Sequence, residues 1–150
     1  MAFESQDPFP RRARILVAED DDAFRLLLMT TLREAGHGAV ELEDGAELED
    51  YLALTYSQVL PTPDLILTDL RMPGANGLEV IRRARSNGLK CPIVLLTAFP
   101  APDLFEQADQ IGQVTVLGKP IDLEQITACV NDLVARARAP DPTALTDSTR

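Results

Sequence analysis

Between Arg14 and Val134, short apolar runs alternate five times with segments of helical periodicity, and nothing else in the 150-residue chain narrows the choice of folds so far. The runs are Arg14-Ile15-Leu16-Val17-Ala18, a half-buried stretch near Ala39 to Leu42, Leu65-Ile66-Leu67-Thr68, Pro92-Ile93-Val94-Leu95-Leu96, and Val114 to Leu117. After the first run, Phe24, Leu27, Leu28, Thr31, Leu32 and Ala35 recur at i, i+3, i+4, i+7, i+8 and i+11, one continuous helical stripe that Gly36 stops. Asp44 caps a second helix carrying Leu48, Tyr51 and Leu52. A third runs from Gly77 to Ser86 and is closed by Gly88, and a shorter fourth carries Leu104, Phe105, Ala108 and Ile111 before Gly112. Asp122 with Gln125 three residues on makes a capping-box start for the last helix, which buries Leu123, Ile126, Val130, Leu133 and Val134.

Five β–α units joined by short loops predict an α/β fold: a doubly wound parallel sheet with helices on both faces, its topology limited by right-handed crossovers. Thr55 to Pro63 is expected to be a surface loop. Pro8, Pro10 and Arg11-Arg12-Ala13-Arg14 suggest a flexible arm over residues 1–12, and the polar, aperiodic end suggests a tail over 139–150, leaving one domain over 13–138.

In such sheets, ligands bind outside the carboxyl ends of the strands at a topological switch point, so the residues at those ends carry the functional argument. Strand one ends in Glu19-Asp20-Asp21-Asp22, strand three in Asp69, strand four in Thr97, and strand five leads to Lys119-Pro120. Asp21 and Asp22 fit capping and first-turn positions, where a helix favours negative charge. Glu19, Asp20 and Asp69 would share one cleft and repel one another unless a cation sits among them. Oxygen ligands without histidine or cysteine nearby point to magnesium. A carboxylate placed there can act as a nucleophile toward phosphorus, with metal and lysine neutralising the phosphoryl oxygens.

A formal net charge of −10 sets the surface as a whole against nucleic acid and anionic membrane. No apolar run approaches the ~20 residues of a membrane span, and Met1 to Arg14 lacks the apolar region of a secretory signal. Cys91 and Cys129 have no metal-like spacing and read as small buried thiols of a reducing compartment. His37, after Gly36, reads as a surface turn residue. A cytoplasmic protein is expected. A P-loop is absent, the acidic run after strand one would repel a flavin phosphate, and Arg71 stands where a haloacid-dehalogenase-type phosphatase needs a second aspartate.

The chain resembles the response-regulator receiver family from about Arg14 to Ala137. The resemblance rests on Ile15-Leu16-Val17-Ala18-Glu19-Asp20, Asp64 to Gly74, Gly77-Leu78, Leu95-Leu96-Thr97-Ala98 and Lys119-Pro120. It implies a flavodoxin-like (βα)5 fold with strand order 2-1-3-4-5, the order of the family's chemotaxis member. It also implies that Asp69 is the phosphoacceptor, that Glu19, Asp20, Asp69 and the backbone carbonyl of Arg71 hold Mg2+, that Thr97 binds a phosphoryl oxygen, and that Lys119 pairs with the aspartyl phosphate. The Lys-Pro bond is usually cis in the family, the one bond type where cis is cheap. The implied donor is a phosphohistidine on a histidine kinase or phosphotransfer protein, and the implied output is a conformational change read by a protein partner. The face of the fourth helix, fifth strand and last helix, with Asp109, Gln113 and Arg136, is the implied docking or homodimer surface.

The sequence departs from the family where Val116 replaces the usual strand-five Tyr or Phe, and where Pro100 and Pro102 stiffen the loop before the fourth helix. The expectation is a small, local activation change read by the loop from Ala98 to Pro102, with Phe99 as its aromatic side chain. With about a dozen residues after the last helix, no output domain for DNA is expected. A receiver-like interaction module independent of phosphorylation is the rival reading.

Overall fold

A computed structural model describes residues 12–139. Apart from Arg12 and Ala139, the expected arm and tail lie outside the described residues. The chain alternates as β1 (Arg14–Ala18), α1 (Asp22–Glu34), β2 (Gly38–Leu42), α2 (Gly45–Tyr56), β3 (Leu65–Asp69), α3 (Gly77–Ser86), β4 (Ile93–Thr97), α4 (Pro102–Ile111), β5 (Val114–Gly118) and α5 (Leu123–Arg138). The five strands form one parallel sheet in the order β2-β1-β3-β4-β5. A two-stranded antiparallel hairpin, Arg71–Met72 against Ala75–Asn76, stands apart from the sheet and was not anticipated.

Strand side chains point alternately to the two faces, and the core divides accordingly. Leu16, Ala18, Ile66, Ile93 and Leu95 pack under α2 and α3 with Leu48, Leu52, Leu78 and Ile81. Ile15, Val17, Leu65, Leu67, Val94 and Leu96 pack under α1 and α5 with Leu28, Leu32, Ile126 and Val130. Both faces are covered, so β3 and β4 are buried at every position. Each fully buried aliphatic side chain contributes about 1.5–3 kcal/mol relative to exposure.

The helix faces differ from the expected ones in two places. In α1 the buried residues are Arg25, Leu28, Met29 and Leu32, so the stripe is turned from Phe24–Leu27–Thr31 toward Arg25–Met29, and Leu27 is left 51% exposed. The buried series carries an arginine that Asp22 and Glu41 pair. In α5, Ile126, Val130 and Val134 are buried, while Leu123 and Leu133 are half-buried at the margin. Thr55 and Tyr56 belong to α2, so the connecting loop begins only at Ser57. Asp21, Asp44 and Asp122 cap their helices by accepting N–H bonds from Phe24, Glu47 and Glu124. Asp122 acts through Glu124, and Gln125 is exposed. Both cysteines are half-buried free thiols, and burial pushes the Cys91 thiol up to about 11. No described helix is long and apolar enough to cross a membrane.

Candidate functional site

Parallel pairing of β1 with β3, and of β4 with β5, brings the ends of four strands to one rim. Glu19 and Asp20 follow the last residue of β1, Asp69 and Thr97 are the last residues of β3 and β4, and Lys119 follows β5. The expected residues do converge. One carboxylate oxygen from each of Glu19, Asp20 and Asp69 lies within 4.8 Å of the other two. Lys119 Nζ donates to Glu19 Oε1 at 3.0 Å and to Asp69 Oδ2 at 3.1 Å. The Lys119–Pro120 peptide bond is cis.

The three carboxylates sit in different surroundings. Glu19 is 1% exposed and Asp69 9%, whereas Asp20 is open to solvent. Burial raises the Glu19 carboxyl above its ordinary range; the Asp21 N–H and Lys119 oppose that, and the neighbouring Asp69 charge adds to it. For Lys119, burial alone would disfavour the ammonium, but Glu19 and Asp69 together hold its pKa above the ordinary lysine value. The ammonium also lies 5.1 Å over the Phe24 ring. With all four groups ionised, the lysine offsets one of three negative charges and leaves two. Hard oxygen donors with a residual charge of two fit a divalent cation such as Mg2+.

Thr97 is 2% exposed and accepts the Phe99 N–H at 3.1 Å, and its carbonyl accepts the Lys119 N–H at 2.6 Å. Among the described residues, no hydrogen bond joins Thr97 to Asp69. Arg71 opens the short hairpin just beyond Asp69, with its guanidinium 5.7 Å over the ring of Phe99, which is 70% exposed. Gly77 holds this corner closed: a Cβ there would stand 2.9 Å from the Asp69 carbonyl oxygen and 3.0 Å from that of Leu70. A recess of about 400 Å³, lined by Asp21, Phe24, Ala98, Lys119, Pro120 and Ile121, opens beside the lysine.

Sequence reasoning missed Arg25. Its side chain is buried, donating to the Glu19 carbonyl at 2.8 Å, Glu41 at 2.8 Å and Asp22 at 2.7 Å. Glu41 and Asp22 hold the guanidinium above even its usual pKa. Arg25 thereby fixes the backbone that presents Glu19. The available signal was its place at i in the apolar series Arg25, Leu28, Met29, Leu32.

A doubly wound α/β domain with a lysine-bridged acidic cluster at its strand ends is the class of protein that fold and site define. The family profile described as the response regulator receiver domain matches residues 15–131, and the chain belongs to that family. It is 34% identical to the transcriptional regulatory protein PdtaR of Mycobacterium tuberculosis over 126 residues, 83% of this chain and 58% of that protein. It is 31% identical to the DNA-binding transcriptional regulator NtrC of Escherichia coli over 125 residues, 83% of this chain but 25% of NtrC. The chain therefore spans a quarter to somewhat over half the length of these relatives. Among solved structures, the signal receiver domain of the putative response regulator NarL from M. tuberculosis matches with a TM-score of 0.69 and 31% identity, covering 84% of this chain and 98% of that one. Chemotaxis response regulator CheY4 of Vibrio cholerae matches with a TM-score of 0.68 and 26% identity over 82% of this chain and 99% of that one.

Proposed function

We propose that this receiver domain takes a phosphoryl group onto Asp69 from a phosphohistidine of a histidine kinase or phosphotransfer protein, and signals to a protein partner in the cytoplasm by a change of shape. The observation that carries this reading is Lys119 bonded to both Glu19 and Asp69 with Asp20 at the same cluster. A relative 25% identical over 78% of this chain, covering 90% of its own length, is the sporulation initiation phosphotransferase F of Bacillus subtilis. Glu19, Asp20 and Asp69 would hold Mg2+, with the carbonyl of Arg71 as a further ligand. When bound, the ion supplies charge neutralisation for the transferring phosphoryl oxygens.

The chain's own residues do the rest. Asp69 Oδ attacks phosphorus, a P–O bond forms as the P–N bond to the donor imidazole breaks, and the imidazole leaves with the bonding electron pair. Lys119 holds Asp69 in place before transfer and pairs with the phosphoryl oxygens after it. The Thr97 hydroxyl accepts from Phe99 N–H and keeps its own proton to donate. This is a signalling reaction, with the phosphoryl group ending on the domain itself. Incubation with acetyl phosphate and magnesium is expected to add one phosphoryl mass, and Asp69→Ala to abolish it. Uptake by the Asp69→Ala protein would refute the assignment, and no uptake by the wild type would favour a phosphorylation-independent interaction module.

The route of activation follows from the Thr97–Phe99 bond. A charged phosphoryl oxygen is a stronger acceptor for the Thr97 hydroxyl than anything now facing it. Drawing Thr97 inward removes the acceptor from Phe99 N–H and frees the loop that carries Phe99. Val116, half-buried and opposite Leu95 in the β4–β5 register, is too small and too stiff at χ1 to relay the shift by an aromatic swing. Amide NMR with beryllofluoride and magnesium is expected to show shifts in the pocket and in residues 98–105. Large shifts along all of β5 and α5 would contradict it. In this reading the face of α4, β5 and α5, including Asp109, Gln113 and Arg136, remains the candidate docking or dimer surface.

A further inference from the structure

The rim opposite the carboxylate cluster carries an unusual concentration of uncommitted positive charge. Arg12 is exposed and donates to the carbonyls of Gly36 and His37 at 3.4 and 2.9 Å. Arg14, at the start of β1, donates to the Tyr51 hydroxyl at 3.0 Å. Arg33, in the last turn of α1, donates to the Ala39 carbonyl at 3.4 Å. All three guanidiniums are held by neutral acceptors, and among the described residues no carboxylate is within ion-pair distance of them. Asp64 accepts the Arg14 backbone N–H at 2.7 Å and lies 3.5 Å from Arg138. In a chain with a net charge of −10, three such arginines at one place are conspicuous.

Arg12 and Arg14 line an open groove of about 650 Å³ together with Gly38, Ala39, Val40 and Pro61, and Arg33 reaches it through the Ala39 carbonyl. Its floor is the β2 edge of the sheet, because among the described residues β2 pairs only with β1. Gly38 N–H bonds the Ala13 carbonyl and the Leu42 carbonyl accepts the Glu19 N–H. Even-numbered residues of β2 therefore spend their backbone groups on β1, and those of Ala39 and Glu41 face outward. Two residues before Pro61 of that lining, Val59 bonds back to Leu54 at the end of α2, and the two are exposed to 67% and 43%, an apolar shoulder on the segment that leads into the groove. The turn Val59 N–H and Leu60 N–H to the Leu54 carbonyl keeps that shoulder together.

We infer that the groove between the β2 edge and the end of α2 is a docking site for a short acidic segment of a partner protein that also carries an apolar side chain. Glutamate or aspartate would meet guanidiniums whose present acceptors are uncharged, and a charge-assisted pair is the stronger bond. The apolar side chain would cover Val59 and Leu54. A nucleic acid offers the negative charge but not the apolar group, and its extended charge would meet the acidic remainder of the surface. The groove begins where β1 begins and Glu19 lies just past where β1 ends, about 16 Å away. A partner could therefore be held here while the phosphoacceptor pocket stays open, and the site stands independently of the phosphoryl chemistry.

The test uses the full chain and a fluorescent octapeptide of alternating glutamate and leucine, followed by anisotropy. Binding is expected, weakening about tenfold as salt rises from about 0.05 to 0.5 M and at least about tenfold in the double variant Arg12→Glu/Arg33→Glu, both sites being exposed rim charges. Amide shifts should fall on residues 12–14 and 38–41. The variant's melting curve and phosphoryl uptake at Asp69 serve as controls and should be unchanged, so a failed phosphoacceptor reading is distinguishable from a failed groove. Equal binding of a lysine–leucine octapeptide, undiminished binding by the double variant, or tighter binding of a DNA duplex than of the acidic peptide would each overturn the proposal.

Discussion

Arg25→Met is expected to destabilise the domain by about 2–4 kcal/mol in urea denaturation, a large fraction of the total for a domain of this size. The residue is 5% exposed, and methionine fills similar space, so the loss is electrostatic more than steric. Orphaning the Glu19 carbonyl costs about 1–3 kcal/mol. The pairs with Asp22 and Glu41, whose side chains are 89% and 50% exposed, contribute only about 0.2–1 kcal/mol each, because those carboxylates regain water. Arg25→Lys should recover part of the loss, since an ammonium reaches one or two of the acceptors but cannot span all three. A methionine variant within about 0.5 kcal/mol of wild type would mean that the network adds little to stability.

Arg25 also marks where sequence reading stops. Apolar periodicity sufficed for five strands and five helices, because burial on both sheet faces forces near-continuous apolar runs, and the strand ends then placed Glu19, Asp20, Asp69, Thr97 and Lys119 on one rim. Periodicity could not choose between two overlapping stripes on α1. Phe24–Leu27–Thr31 and Arg25–Leu28–Leu32 differ by one residue, about 100° of rotation, and the second set carries the arginine that pairs with Glu41 on another element. The hairpin at Arg71–Met72 escaped for a similar reason. Two-residue strands carry no period, and this one is followed by Gly77, where any Cβ would stand within 3.0 Å of the Asp69 and Leu70 carbonyl oxygens. The β2-edge groove is invisible in one dimension, since Arg12, Arg14, Ala39 and Pro61 come together only through the fold.

Lys119→Met is expected to move three measurements at once, two of them in opposite directions. In the metal-free protein the ammonium is the only cation bonded to Glu19 and Asp69 among the described residues. Removing it leaves Glu19, 1% exposed, beside two other carboxylates. Breaking a buried pair by deleting one partner costs about 3–5 kcal/mol, and partial neutralisation of Glu19 brings the expected loss toward the lower end. The metal-free melting temperature should therefore fall. Magnesium binding should tighten, because three uncompensated carboxylates attract a dication more strongly than three sharing a lysine. At about ten times its dissociation constant, a ligand bound only by the folded state adds about 1.4 kcal/mol, about 3–6 °C for a chain of this length. The magnesium-induced rise should thus be present in the wild type and larger in the variant at the same concentration. Phosphoryl uptake from acetyl phosphate should nevertheless slow by about 10²–10³-fold, the usual loss when one preorganised donor to a developing oxyanion is removed. The slowing cannot come from lost metal if the metal binds more tightly, so the pair of results isolates the lysine's contribution to transfer. A lysine that merely sat solvated at the rim would change none of the three. An unaltered magnesium shift would refute the charge-balance argument, and an unaltered uptake rate would remove Lys119 from the phosphoryl chemistry.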